Sequence, residues 1–263
     1  MTTSHNNNLE KYTRFRAGEA ASWGLLRDDT VYPIEGDLLG QHTVSGTGLP
    51  LEEAKRLAPA TPPKILCVGL NFRDHIGGRP EPTKPELFYK PTTSLQDPGG
   101  PIILPEGVEE VHHEGELVLV IGKRLRNGDE KEAAAAIWGV TCGNDVSERN
   151  WQMGPRRDVQ WWRAKGCDTF GPLGPVLVRG LNYNDLLLTT RLNGATVQQA
   201  RTSEMIFSCT QVVSFVSQHL TLEPGDLVWM GTPGQTQPMR AGDVVEVEIE
   251  GVGILRNTVL NSK

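Results

Sequence analysis

The sequence predicts an α+β fold rich in strands, with a small N-terminal β-rich domain over residues 1–60 and a larger domain over residues 64–263. Three observations predict it. The 29 Gly and 18 Pro are scattered among short apolar runs, the pattern of many strands joined by turns. Residues 203–219 form the one long amphipathic pattern, with Ile206, Cys209, Val213 and Val216 at helical spacing. Ala58-Pro59-Ala60-Thr61-Pro62-Pro63 is a stiff linker and sets the boundary.

In chain order, residues 12–15 and 22–26 read as short strands. Arg27-Asp28-Asp29 then marks a turn before a strand at residues 30–34. Residues 51–57 read as a short helix. The larger domain opens on a buried strand at residues 64–69, followed by the polar segment Asn71-Phe72-Arg73-Asp74-His75; strand-end loops often carry functional groups. Residues 87–91 and 101–105 are short strands with Pro stops, residues 130–137 a helix, and residues 138–142 a strand. Residues 145–153 read as a helix or helical turn. Gly225-Asp226 and Gly242-Asp243 are turns, each placed before a strand.

Composition narrows the function classes. A net charge of -6 without a basic cluster argues against nucleic acid as a partner. No apolar stretch approaches the length of a membrane span, and the polar start, residues 1–8, lacks the apolar core of a secretory signal. Cys67, Cys142, Cys167 and Cys209 show no paired spacing and read as reduced thiols of a cytoplasmic protein.

The chemistry is concentrated in Val111-His112-His113-Glu114-Gly115-Glu116, followed by the apolar run of residues 117–121. Side chains alternate along a strand, so Glu114 and Glu116 share a face with Val118 and Val120. Two adjacent carboxylates resist burial unless a cation lies between them. With Asp145 downstream they form an all-oxygen set, suited to a hard divalent ion such as Mg²⁺ or Mn²⁺. His112 shares their face and reads as a ligand or as a hydrogen-bonded structural histidine. Arg149 and Gln152 follow Asp145 by four and seven residues, on nearly one helical face, where Arg suits a two-pronged grip on a carboxylate. Lys165, in a loop rich in aromatics, Gly and Pro, reads as a contact for an anionic substrate or as a solvated side chain. The Gly231-Thr232-Pro233-Gly234 backbone reads as an anion-binding loop or a turn.

In order along the chain stand Val68-Gly69-Leu70-Asn71-Phe72 with His75, Phe88-x-Lys90-Pro91, Glu114-x-Glu116-Leu117, Asn144-Asp145-Val146-Ser147-x-Arg149-x-x-Gln152, Lys165-Gly166-x-Asp168-Thr169-Phe170, Leu222-x-Pro224-Gly225-Asp226 and Gly231-Thr232-Pro233. Together they resemble the fumarylacetoacetate hydrolase family, and His112-His113-Glu114-x-Glu116 resembles its short branch of acylpyruvate hydrolases and oxaloacetate decarboxylases. The resemblance implies a mixed β-roll or β-sandwich, a homodimer, and Mg²⁺ or Mn²⁺ on Glu114, Glu116 and Asp145. It also implies a small-molecule oxo-acid substrate touched by Arg149, Gln152, Lys165 and Thr232, with His75 as the catalytic histidine that activates water. Lys165 would add oxyanion stabilisation. The pattern departs at Gly78, where short-branch members carry the Glu that orients this histidine; Glu81 is the nearest substitute in sequence. The expected activity is metal-dependent hydrolysis of a C–C bond in an acylpyruvate-like β-diketo acid. Gly78 favours the alternative, decarboxylation or tautomerisation of a 2-oxo acid, and a non-catalytic metal-dependent binder is the third reading.

Overall fold

The structure is a computed structural model and describes residues 9–262, so the polar start at residues 1–8 lies outside the described residues. The fold is α+β and strand-dominated. A thirteen-stranded sheet carries, in spatial order through its centre, Glu10–Arg16, Gly171–Arg179, Ile137–Asn144, Gly115–Ile121, Leu227–Trp229 and Ile65–Gly69, with Glu86–Lys90 at one edge. Ala21–Arg27, Thr30–Gly36 and His42–Val44 extend the other side. A second sheet of five strands runs Ile102–Leu104, Gly253–Asn261, Val244–Ile249, Leu187–Leu192 and Ala195–Arg201. Val111–His112 and Ser147–Glu148 form a two-stranded ladder. No helix among the described residues is long and apolar enough to cross a membrane.

Gly115–Ile121 is buried on both faces, which explains its near-continuous apolar run. Leu117, Leu119 and Ile121 pack into a core shared with Val247, Ile249 and the helix residues Val212, Val213 and Val216. Val118 and Val120 face a second core with Cys67, Leu173, Leu177 and Trp229, to which Tyr12 and Leu25 also belong. The N-terminal strands are thus joined to the larger unit through pairing of Glu10–Arg16 with Gly171–Arg179 and through a common core.

Three expected helices differ in extent or kind. Residues 51–57 form a 3-10 turn, Leu51–Glu53, and then a strand, Lys55–Leu57, whose pairing satisfies the free backbone edge of residues 14–16. The pattern at residues 203–219 becomes a 3-10 turn, Thr202–Glu204, and a helix, Cys209–His219. The break has two causes. Asn71 accepts the backbone N–H groups of Ile206 and Phe207, and Ser208 starts the helix with a capping box to Gln211. In the stretch 145–153 only Arg149–Gln152 is helical, because Ser147–Glu148 is drawn into the ladder with Val111–His112. The helical spacing from Asp145 to Arg149 therefore does not exist. The helix expected at residues 130–137 is present as Glu130–Ala136, started by a capping box between Asp129 and Glu132.

Candidate active site

The antiparallel register pairs Gly115 with Asn144 and Glu116 with Gly143. It continues one step further, with the Asp145 N–H donating to the Glu114 carbonyl at 2.8 Å, so Glu114 and Asp145 face each other across the ladder. Gly143 makes room for this: a Cβ there would lie 2.6 Å from both the Trp229 ring and Val118. Glu114, Glu116 and Asp145 are buried, and each offers a carboxylate oxygen within 4.8 Å of the others.

Cations surround the cluster unevenly. Lys165 donates to Glu114 at 2.7 Å and to Asp145 at 2.6 Å, and Arg149 pairs with Glu114 at 2.6 Å. Lys90, buried at the end of Glu86–Lys90, donates to Asp145 at 2.7 Å and to the carbonyls of Lys165 and Phe170. Glu116 receives the Gly231 N–H at 2.9 Å. Burial pushes the Glu114 carboxyl up, but Lys165 and Arg149 outweigh it and hold the group well below the usual carboxylate range. Burial, together with the carboxylates of Asp145 and Glu114, pushes Glu116 well above that range. For Lys165, burial works against the charge, but Asp145 and Glu114 outweigh it and hold the ammonium above its ordinary value. Three converging carboxylates, one of them opposed by burial and by its two like-charged neighbours, fit an all-oxygen divalent cation site.

A cavity of about 730 Å³ opens onto this cluster and is also lined by His75, Arg79, Gln152, Thr232 and Thr236. Arg149 donates to Gln152 at 2.6 Å and to Thr236 at 2.6 Å. His75 is half-buried, and its Nδ1 meets the Gly234 carbonyl at 2.7 Å. A carbonyl only accepts, so Nδ1 donates, and in the neutral ring the lone pair is on Nε2. The expected pairing of Glu81 with His75 is corrected: Glu81 is held on the surface by a two-pronged contact from Arg73, at 3.0 and 3.1 Å. An Arg eight residues away with free donors outcompetes the histidine for that carboxylate.

Of the two readings for His112, the structural one matches. Its ring lies between Thr236 at 2.8 Å and Glu110 at 3.1 Å, outside the carboxylate cluster. Lys165 is buried against carboxylates, so the solvated reading does not hold. The Gly231 N–H does meet an anion, but the anion is the protein's own Glu116. Sequence reasoning missed the placement of Lys90, which it met only inside a motif, and missed Gln198 altogether. Gln198 sits three per cent exposed on Ala195–Arg201, and no local pattern marks it.

A family model described as fumarylacetoacetate (FAA) hydrolase C-terminal matches residues 64–260. The chain belongs to the fumarylacetoacetate hydrolase family. A second model, Rv2993c-like, N-terminal, matches residues 10–59. Family relatives include an uncharacterized protein of Archaeoglobus fulgidus, 45% identical over 231 residues that cover 87% of this chain and 90% of that one. Another is the mitochondrial oxaloacetate tautomerase FAHD2A of Bos taurus, 40% identical over 81% of this chain and 71% of that one. Among solved structures, a 5-carboxymethyl-2-hydroxymuconate delta-isomerase from Mycobacterium smegmatis superposes with a TM-score of 0.89 at 37% identity, covering 96% of this chain and 100% of that one. Family membership and these relatives make the chain an enzyme of this fold.

Proposed function

We propose that this enzyme is a divalent-metal-dependent tautomerase or isomerase of a 2-oxo acid, moving a proton on carbon. One observation carries the choice over hydrolysis: His75 is oriented by the Gly234 carbonyl and not by a carboxylate. A carbonyl fixes the tautomer but adds no negative charge to strengthen the base. A base without a carboxylate partner suits a carbon acid whose conjugate enolate is stabilised in place better than it suits the activation of water. The tautomerase and isomerase relatives support the same reading.

In this proposal Glu114, Glu116 and Asp145 hold Mg²⁺ or Mn²⁺, which when bound supplies Lewis-acid polarisation of the substrate's oxo group. Arg149 and Gln152 grip the substrate carboxylate from the cavity wall, and Thr232 contacts it from the opposite loop. Lys165 places its ammonium where negative charge develops on oxygen. His75 Nε2 takes the proton from carbon and returns it. The enzyme works as a homodimer. Hydrolysis of an acylpyruvate-like β-diketo acid is the second reading, favoured by the description of the matching family model.

Product analysis separates the two. With Mg²⁺ and oxaloacetate in D₂O, the enzyme is expected to accelerate keto–enol exchange and deuterium entry at the methylene carbon. With an acylpyruvate it is expected to release no pyruvate. Rapid pyruvate release from the acylpyruvate, with exchange on oxaloacetate no faster than background, would replace the proposal with hydrolysis. Activity that persists fully after metal stripping would remove the metal from either reading.

A further inference from the structure

The loop from Gly231 to Gln237 touches three working groups of the cavity: a metal-site carboxylate, the histidine and the arginine. Its Gly231 N–H donates to Glu116, its Gly234 carbonyl holds His75, and its Thr236 hydroxyl accepts from Arg149. It contains no helix or strand, and Gly231 and Gly234 sit at φ +88° and +62°, where the backbone is least restrained by its own side chains. Backbone bonds from Met230 to Leu117 and from Met239 to Val111 close its two ends. Between those ends its shape depends on side chains.

Two of them, Gln198 and His113, come from outside the loop and are buried. Gln198 lies on Ala195–Arg201 of the five-stranded sheet; its Nε2 donates to the Thr232 hydroxyl at 2.8 Å and to the Pro233 carbonyl. Its Oε1 meets His113 Nδ1 at 3.1 Å and accepts the Gly115 N–H at 3.3 Å. The Gln237 N–H donates to His113 Nε2 at 3.3 Å, and the Thr232 hydroxyl donates to the Gly115 carbonyl at 2.9 Å. Each donor and acceptor role is therefore set. Gln237 N–H donates to Nε2, so the His113 proton is on Nδ1 and goes to Gln198 Oε1. The amide is then oriented with its NH₂ toward Thr232 and Pro233.

We infer that Gln198 is a positioning residue for the proton transfer. By holding the Thr232-Pro233 peptide it aims the next carbonyl, that of Gly234, at His75, and so fixes both the tautomer and the direction of the base. Gln198 touches neither His75 nor the carboxylates directly. The inference rests on His75 being the base of the proposed reaction.

The test is a double-mutant cycle on the Mg²⁺-loaded enzyme, with His75 and Gln198 replaced by Ala singly and together. Losing a partner that orients a working group typically costs about 10–100-fold, and loss of a general base about 10²–10⁴-fold. Gln198→Ala is expected to lower kcat by about 10–100-fold, with a smaller rise in KM through Thr232 and Mg²⁺ affinity nearly unchanged. The double variant is expected to be no slower than His75→Ala alone, because the two act as one unit. Multiplicative losses would overturn the inference, since Gln198 would then act elsewhere. An unimpaired His75→Ala would overturn the base assignment and the inference with it. Nitrogen-15 spectra of the His75 ring give a second reading. The parent is expected to show a single Nδ1–H tautomer, and Gln198→Glu, which keeps size and acceptor but loses both donors, a mixture. An unchanged tautomer in Gln198→Glu would also overturn it. Gln198→Glu takes the place of Gln198→Ala in the cycle if the latter does not fold.

Discussion

Glu116 carries the electrostatic strain of the cluster. Burial and the flanking Asp145 and Glu114 carboxylates push its proton affinity well above the ordinary range. A carboxyl raised in the folded state binds more protons folded than unfolded above pH ~4.3. In the metal-free enzyme its contribution to stability is therefore complete below that pH and is lost as pH rises toward the raised value. Glu114, held low, works in the opposite window: its contribution is lost only as pH falls below the ordinary carboxylate value. Glu116→Gln mimics the protonated form permanently. Its metal-free Tm is expected to match the parent at pH ~5 and exceed it at pH ~8, while its affinity for Mg²⁺ collapses. Parallel melting curves for parent and variant over that range would contradict the assignment, as would intact Mg²⁺ binding by calorimetry. At this scale the sequence was partly legible. Two carboxylates alternating into an apolar run stood out, although Glu-x-Glu alone reads equally as a solvated strand face; the apolar continuation on the same face and Asp145 downstream pointed to burial beside a cation. Lys90 did not, because a lysine at a strand end is usually solvated and only the folded chain shows Asp145 waiting for it.

Pairing within the large sheet decides whether the site exists, and one glycine guards it. Gly143 stands opposite Glu116, and a Cβ there would overlap the Trp229 ring and Val118, both at 2.6 Å. Trp229 and Val118 are fully buried, so neither can swing away cheaply. Overpacking of this kind costs about 1–3 kcal/mol, and here the strain falls on the ladder position opposite Glu116, two residues before Asp145. Gly143→Ala is expected to lose stability in that range and to weaken Mg²⁺ binding, with Trp229→Phe restoring part of both. Urea unfolding and calorimetric titration of the single and double variants check it; additive losses would show that the ring is not the obstacle. The strand itself was readable from alternation, but its partner was not. Asp145 appeared to start a helix because Arg149 and Gln152 follow at helical intervals. In the fold Ser147 and Glu148 pair with Val111 and His112 instead, and Asp145 reaches the cluster as the residue across the ladder from Glu114. Local spacing records helical neighbours well and cannot record which strand lies alongside.

The same gap between local pattern and long-range pairing appears in the relation of the N-terminal strands to the rest of the molecule. The proline-rich linker separates them in sequence, and two different family models meet there, at residues 10–59 and 64–260. In space Tyr12 lies opposite Leu177 in the ladder between Glu10–Arg16 and Gly171–Arg179. Tyr12, Leu25, Leu38, Ala58 and Ala60 belong to the same core as Leu173, Val118, Val120 and Trp229. Removing residues 1–60 would strip one side of a central strand of its backbone partners and open the core that supports Trp229, and through it Gly143 and Glu116. An unpaired strand edge beside exposed apolar side chains is a site for association between chains. A chain of residues 61–263 is therefore expected to aggregate, or to melt well below the intact enzyme, and to lose Mg²⁺ binding even though Glu114, Glu116 and Asp145 are all retained. Light scattering, thermal melting and Mg²⁺ titration of the truncated chain decide the point. A monodisperse truncated protein with unchanged Mg²⁺ affinity would mean that the second core stands without its N-terminal contribution and that the three carboxylates are held by the Gly115–Asn144 ladder alone.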